Sequence, residues 1–222
     1  MKNNKYYSWK KIWNNRDIKF LQKFSTLEKL MLLNGHLKSV NEISVQNWVK
    51  YGKEIKKRIK IKKNESIFEF GAGSGALLYL FKDKTNKLHG CDYSKQLVSE
   101  SKKLFKESKI MYQDCAKVST KVKFDHIISS SMLEYVKPSN VEGIILKMIT
   151  KFKKTLFISE ILDGGRKKKF LKKYKKKNYN FINKRTFLKL SKDKNLNLKF
   201  TSSILPNSKQ KFYRYCVLIT KN

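Results

Sequence analysis

The chain has 222 residues, 40% of them hydrophobic, and 52 basic residues against 17 acidic ones give it a formal net charge of +35. That length can bury one substantial core, as a single domain or a domain with an appendage, and no apolar run approaches the roughly 18 residues a membrane-crossing helix needs. The opening stretch MKNNKYYSWKKIWNNRD lacks the apolar core of a secretory signal, so the expectation is one cytoplasmic globular unit with no membrane span.

The excess charge is almost all lysine: only Arg16, Arg58, Arg166, Arg185 and Arg214 are arginines. Arginine supplies the planar fork for phosphate and guanine, whereas lysine is a solvated point charge. The lysines are also scattered beside frequent Asn and Ile, as whole-proteome compositional drift would leave them, so the charge alone does not establish a nucleic-acid partner. Cys91, Cys115 and Cys216 are widely spaced and lie in or beside apolar segments, which predicts reduced buried thiols, with no metal site.

Residues 1–60 read as a helical cap. Trp9, Ile12 and Trp13, then Phe20, Leu21, Phe24, Leu27, Leu30 and Met31, fall near helical spacing; Asn34-Gly35-His36 breaks the pattern, and a further helix covers Val45 to Ile59. A core from 62 to 222 follows, in which the periods alternate. SIFEF (66–70) leads through Gly71, Gly73 and Gly75 into a helix from Gly75. KLHGC (87–91) precedes a helix from an N-cap at Ser94 to about Glu107. A short strand covers Ile110 to Tyr112, FDHIISS (124–130) precedes a helix over about 139–152, and TLFIS (155–159) is the next strand. Strands alternating with helices imply a doubly wound α/β sheet, parallel and covered on both faces. A basic insert at about 163–182 contains RKKKFLKKYKKK, where Phe170, Leu171 and Tyr174 recur at helical spacing, so the expectation is an amphipathic helix with its lysines in solvent. After a short helix over about 183–192, NLKFTSSIL and FYRYCVLIT follow without a helix between them and must be antiparallel neighbours.

The glycine turn after the first strand is a place where a ligand can press against the main chain. Its spacing, read through Ala76, also satisfies the loose dinucleotide fingerprint. Asp92, at the end of the second strand, suits the hydroxyls of a ribose. Glu69 would sit poorly beside a pyrophosphate but well beside an ammonium group, and Asp114 could accept from an adenine amine with Cys115 at the base edge. Together these favour a nucleoside carrying an ammonium group over a dinucleotide.

The segments FEFGAGSGALLYLF, LHGCDYSKQLVSESKKLF, IMYQDCAK, FDHIISSSMLEYV and KKTLFISEIL resemble, in order and spacing, the successive motifs of the class I S-adenosylmethionine-dependent methyltransferases. The resemblance implies a Rossmann-like, mostly parallel seven-stranded sheet with an antiparallel C-terminal strand. It implies S-adenosylmethionine as cofactor and S-adenosylhomocysteine as product. Glu69, Gly71, Ala72, Gly73 and Gly75 would line the methionine moiety, Asp92 would bind the ribose, Tyr93 would pack beside the adenine, and Asp114 and Cys115 would contact the base. Ser130, with Ser129 and Ser131, would pass beneath the sulfonium. SSSMLEYV stands where many adenine and amide methyltransferases carry an N/D-P-P-Y motif, which disfavours those acceptors.

Glu134, just past the fourth strand, is the candidate general base, against the commoner case of a solvated turn carboxylate. His89 and His126 are expected to be packed and hydrogen-bonded, and His36 has no evident partner. Tyr6, Tyr7, Trp9 and Trp13 are core residues first and a lid second. The expected acceptor is a small molecule, with an anionic one suggested by the basic insert. RNA is the second choice, a nonenzymatic binding protein the third, and the oligomeric state is not legible.

Overall fold

The computed structural model describes residues 5–15, 23–36, 43–175, 179–192 and 194–222, without the side chains of residues 5–8 and 10. The expectations for Tyr6, Tyr7, Phe20, Leu21, Lys176 and Lys177 therefore lie outside the described side chains. Strands β1 (Ile67–Phe70), β2 (Leu88–Asp92), β3 (Ser108–Tyr112), β4 (Phe124–Ser130), β5 (Phe152–Leu162), β6 (Leu196–Ser202) and β7 (Arg214–Lys221) form one sheet in the order β3-β2-β1-β4-β5-β7-β6. The first five pair in parallel, and β7 runs antiparallel to both β5 and β6.

β1 is buried along its whole length, as a central strand covered on both faces must be. Alternation sends Phe68 and Phe70 to one face, where they meet Ile145 and Met148 of α5 (Val141–Lys151) and Phe187 of α7 (Lys184–Ser191). Ile67 goes to the other face, with Leu30 of α2 (Thr26–Leu33) and Trp48, Tyr51 and Ile55 of α3 (Val45–Ile59). The N-terminal cap is therefore one of the two layers that cover the sheet. α2 starts at a capping box in which Ser25 and Glu28 exchange backbone and side-chain bonds. Ser94 caps α4 (Lys95–Leu104) as expected, accepting the Leu97 N–H at 3.2 Å.

The helix expected from Gly75 is not formed. In its place a single 3-10 turn covers Leu78–Phe81. The chain has to return to β2 by Leu88, and Leu78 and Phe81 bury themselves against the same core as α2 and α3. The cap helices thus take the place a longer crossover helix would need. α6 (Lys167–Tyr174) does match its expectation: Phe170 is fully buried with Leu162 and Tyr213, Leu171 and Tyr174 pack beside it, and Lys168, Lys169, Lys172 and Lys173 are exposed. Among the described residues no helix is long and apolar enough to cross a membrane.

His126 is packed and hydrogen-bonded, as expected for a strand histidine. Its Nδ1 meets Thr155 Oγ1 at 2.7 Å and its Nε2 meets Glu65 Oε2 at 2.8 Å, while Lys154 donates to Glu65 Oε1. Burial opposes ionisation of Glu65, yet the bonds from His126, Lys154 and the Lys62 amide outweigh it and hold the carboxyl down to about 2. A depressed carboxyl stabilises the fold above its unfolded value of 4.5 and loses that contribution as pH falls toward 2. Glu65→Gln should therefore lower the urea midpoint at pH 7, with the difference from the parent closing between pH 4.5 and 2. A difference that does not change with pH would exclude this role.

Candidate active site

A cavity of about 280 Å³ opens at the ends of β1, β2, β4 and β5 that carry the glycine turn, Asp92, Ser130 and Glu160. Gly71 and Gly73 bring bare backbone to its wall at φ +72° and +55°. A Cβ at Gly71 would meet the Met132 side chain, and one at Gly73 would meet the Asn34 side chain, so both space and conformation call for glycine. Asn34, just past α2, also accepts the Ser74 N–H through Oδ1 at 2.8 Å, and Ser74 Oγ donates to Leu30 O at 2.7 Å. The cap thereby fixes the shape of the turn.

Asp92 is buried and works on the same loop. Its Oδ2 accepts the Gly73 N–H at 2.9 Å and its Oδ1 accepts the Ser94 N–H at 2.8 Å. Burial nevertheless pushes the carboxyl up to about 6, against the pull of those bonds and of one from Tyr93. Tyr93 and Ser130 stand on the wall as expected. Ser130 Oγ lies 2.8 Å from Tyr51 Oη, which also meets Ser159 Oγ at 2.6 Å, so a helix of the cap ties the ends of β4 and β5 together.

Five expected contacts are not on the wall. Glu69 is buried beneath the turn. Leu78 N–H bonds to its carboxylate, Oε2 has no hydrogen-bond partner among the described residues, and burial beside Asp92 drives its pKa well up. Ala72 is buried within the loop, and Gly75 packs against Ser101, Phe105 and Ile110, serving helix–sheet contact. Asp114 accepts the Ala116 N–H at 2.8 Å and caps its own turn. The Cys115 thiol points away from any base edge: it is buried 3.6 Å from Cys91 Sγ, and that bond and burial raise its pKa well above the usual thiol range. All three cysteines are free and buried.

Glu134 is neither a solvated turn residue nor a free base. It is buried on the cavity wall and held by Arg214, whose Nη2 lies 3.0 Å from Oε2 and whose Nη1 lies 3.1 Å from Oε1. Burial raises its pKa and Arg214 pulls it back. Arg214 also donates to Glu160 O at 2.6 Å and to Gln210 Oε1 at 2.7 Å, so all its donor nitrogens are engaged. Sequence reasoning missed Arg214 and Glu160. Each is a charge inside an apolar strand segment, a signal that was available. Among the described residues the wall carries Asp92, Glu134 and Glu160, with Arg214 and His36 but no lysine.

The roof is α1 (Lys5–Asn14), through Trp9, Ile12 and Trp13. Trp9 packs edge-on to Tyr135 at 4.8 Å and stacks on Tyr179 at 5.2 Å, and Trp13 meets Tyr135 at 5.6 Å. Ser94 Oγ donates to Trp13 O at 2.7 Å and Lys95 N–H to Asn14 Oδ1 at 3.0 Å, anchoring the helix beside Asp92. These contacts suit a lid.

A methyltransferase-domain family model matches residues 67–154, from the first residue of β1 into β5. The fold is that of the class I S-adenosylmethionine-dependent methyltransferases. The sheet order, with β7 inserted antiparallel beside β5, is the order of that fold. Solved structures agree in fold at low identity. Magnesium protoporphyrin IX methyltransferase from Synechocystis PCC 6803, with bound S-adenosylhomocysteine, is 15% identical with a TM-score of 0.61, and the match covers 99% of this chain and 95% of that one. CalS10, an amino pentose methyltransferase from Micromonospora echinaspora bound to S-adenosylmethionine, is 10% identical with a TM-score of 0.68, covering 90% and 98%. The N-methyltransferase NodS from Bradyrhizobium japonicum WM9, with S-adenosylhomocysteine, is 12% identical with a TM-score of 0.65, covering 99% of each chain. No curated protein sequence matches this chain.

Proposed function

We propose that the methyltransferase binds S-adenosylmethionine along the glycine turn and Asp92 and moves its methyl group to a small-molecule acceptor in the same cavity. The observation that carries this reading is the cavity itself, with glycine backbone and a buried carboxylate on one side and the α1 roof above. The residues present suit the cofactor: the bare turn admits a close ligand, and Glu69 keeps an unpartnered buried oxygen behind it. The related folds named above act on a porphyrin and an amino pentose.

Bound S-adenosylmethionine supplies a methyl group already activated on a sulfonium, so the protein's work is alignment and exclusion of water. Gly71 and Gly73 bring the backbone close, Asp92 would accept from the ribose hydroxyls, Tyr93 would pack beside the adenine, and Ser130, fixed by Tyr51, would hold the wall beside the reacting group. The α1 roof shuts out solvent. A wall that carries no lysine among the described residues favours a small acceptor over RNA. Calorimetric titration should show S-adenosylmethionine and S-adenosylhomocysteine binding, with no competition from NAD and no stimulation of turnover by RNA. A folded protein that binds neither would overturn the proposal.

A further inference from the structure

The charge on the cavity wall is opposite in sign to that of the molecule. Residues 164–222 hold nineteen basic residues and one acidic one, and of the basic ones only Arg214 is on the wall among the described residues. Inside, two buried carboxylates stand at the ends of β4 and β5, and Arg214 bonds the carboxylate of Glu134 but only the backbone carbonyl of Glu160, so the Glu160 carboxylate has no cation bonded to it among the described residues. Arg214 has no N–H left for an anionic acceptor, because every donor nitrogen already meets Glu134, Glu160 O or Gln210.

Glu160 differs from Glu134 in what it has to spare. Its Oε1 accepts from Ser203 Oγ at 2.8 Å and from the Ile204 and Leu205 amides at 3.2 and 3.4 Å, while Oε2 takes only Ser203 Oγ at 2.7 Å among the described residues. Oε2 therefore keeps acceptor capacity. The backbone at Glu160 is also held at φ +58°, a left-handed conformation that strains a side-chain-bearing residue and collects at functional sites. The strain coincides with the register shift of β5 against β7, which aims this position at the cavity. The rest of the chamber is aromatic: all three tryptophans of the chain, Trp9, Trp13 and Trp48, line it with Tyr135. Aromatic faces beside a buried carboxylate attract an organic cation and repel an anion.

We propose that the acceptor is a small amine whose nitrogen docks on Glu160 Oε2 beneath the Trp9–Trp13–Tyr135 roof. This rests on the methyl-transfer reading and names its substrate class. The protonated amine gives its proton to the Glu160 carboxylate. The freed nitrogen lone pair then forms the N–C bond as the S–C bond of the sulfonium donor breaks, and the bonding pair stays on sulfur to leave a thioether. Burial raises the Glu160 pKa from the ordinary carboxylate value, which suits a group that must hold that proton.

The test uses three probes that share one ring and differ in charge: benzylamine, benzyl alcohol and benzoate. Each is titrated into the purified protein at neutral pH, with and without saturating S-adenosylhomocysteine, by calorimetry and by tryptophan fluorescence, which here reports on the cavity wall. Benzylamine should bind at least about tenfold more tightly than benzyl alcohol, the return of one charge-assisted contact, with benzoate weakest. Glu160→Gln should bring amine and alcohol level while S-adenosylhomocysteine still binds. Equal affinities in the parent, benzoate as the tightest probe, or an amine preference that survives in Glu160→Gln would overturn the proposal. If that variant does not fold, the order of the probes on the parent decides. Failure of S-adenosylhomocysteine to bind would sink the methyl-transfer reading, and the probe order without it would still be read.

Discussion

Arg214→Met should be the most destabilising of the single changes considered. The side chains of Arg214 and Glu134 are 9% and 3% exposed, so removing the guanidinium leaves two carboxylates buried with no cation between them. Breaking a buried pair from one side costs about 3–5 kcal/mol, which for a domain of this size lowers the melting temperature by roughly 10 °C. The pH dependence distinguishes this from lost packing. Burial raises the folded pKa of both Glu134 and Glu160 above 4.5, so the folded state holds the proton more tightly than the unfolded one. Stability therefore falls as pH rises from 4.5 through the raised folded values, and more steeply once Arg214 no longer pulls those values down. The deficit of Arg214→Met should be larger at pH 8 than at pH 5 by calorimetric melting. Adding Glu134→Gln should recover much of it. A deficit equal at both pH values, or no recovery in the double variant, would show that the ion pair is not what the arginine supplies.

Asp92→Asn should cost the most in cofactor affinity. The amide keeps the volume but loses the charge that would accept from the ribose hydroxyls, and its NH₂ would face the Gly73 or Ser94 N–H that the carboxylate now accepts. Two charge-assisted bonds are at stake, so affinity for S-adenosylhomocysteine should fall about 100-fold or more. In the parent, burial places the Asp92 pKa at about 6, and the ligand prefers the ionised form. Affinity should therefore drop about tenfold per pH unit below 6 and level off above it. In the free protein the sign is opposite: the raised carboxyl makes stability decline as pH rises from 3.8 to about 6. Titration calorimetry from pH 5 to 8 reads the affinity and calorimetric melting from pH 3.5 to 7 reads the stability, and the affinity step across pH 6 should vanish in Asp92→Asn. A parent whose affinity is flat over that range would remove Asp92 from the binding site.

The proposed amine site and these two variants meet at one place, the ends of β4, β5 and β7. Arg214 anchors Glu134 there, Glu160 fixes the 203–205 segment through Ser203 and two amides, and Gln210 closes the guanidinium's remaining side. The expected base, Glu134, is by this geometry a positioning residue, since both its oxygens are taken by Arg214.

The amino-acid sequence by itself determined the parts of this protein that neighbours along the chain control. Alternating apolar runs specified the parallel strands, glycines at 71 and 73 specified a turn only they can make, Asp92 stands at its strand end by spacing, and Tyr93 and Ser130 came from the family resemblance. Tertiary structure decided what depends on distant segments meeting. The helix after Gly75 gave way to one 3-10 turn because α2 and α3 already fill that face of the sheet. The Cys115 thiol turned toward Cys91, 24 residues earlier, because both lie beneath the sheet ends in one core. The acidic interior of a +35 chain arises because Glu134 and Arg214, 80 residues apart, meet only when β7 inserts antiparallel beside β5. No local pattern encodes that pairing. Burial removes both charges from water, so each must find the other before the chain can close over them.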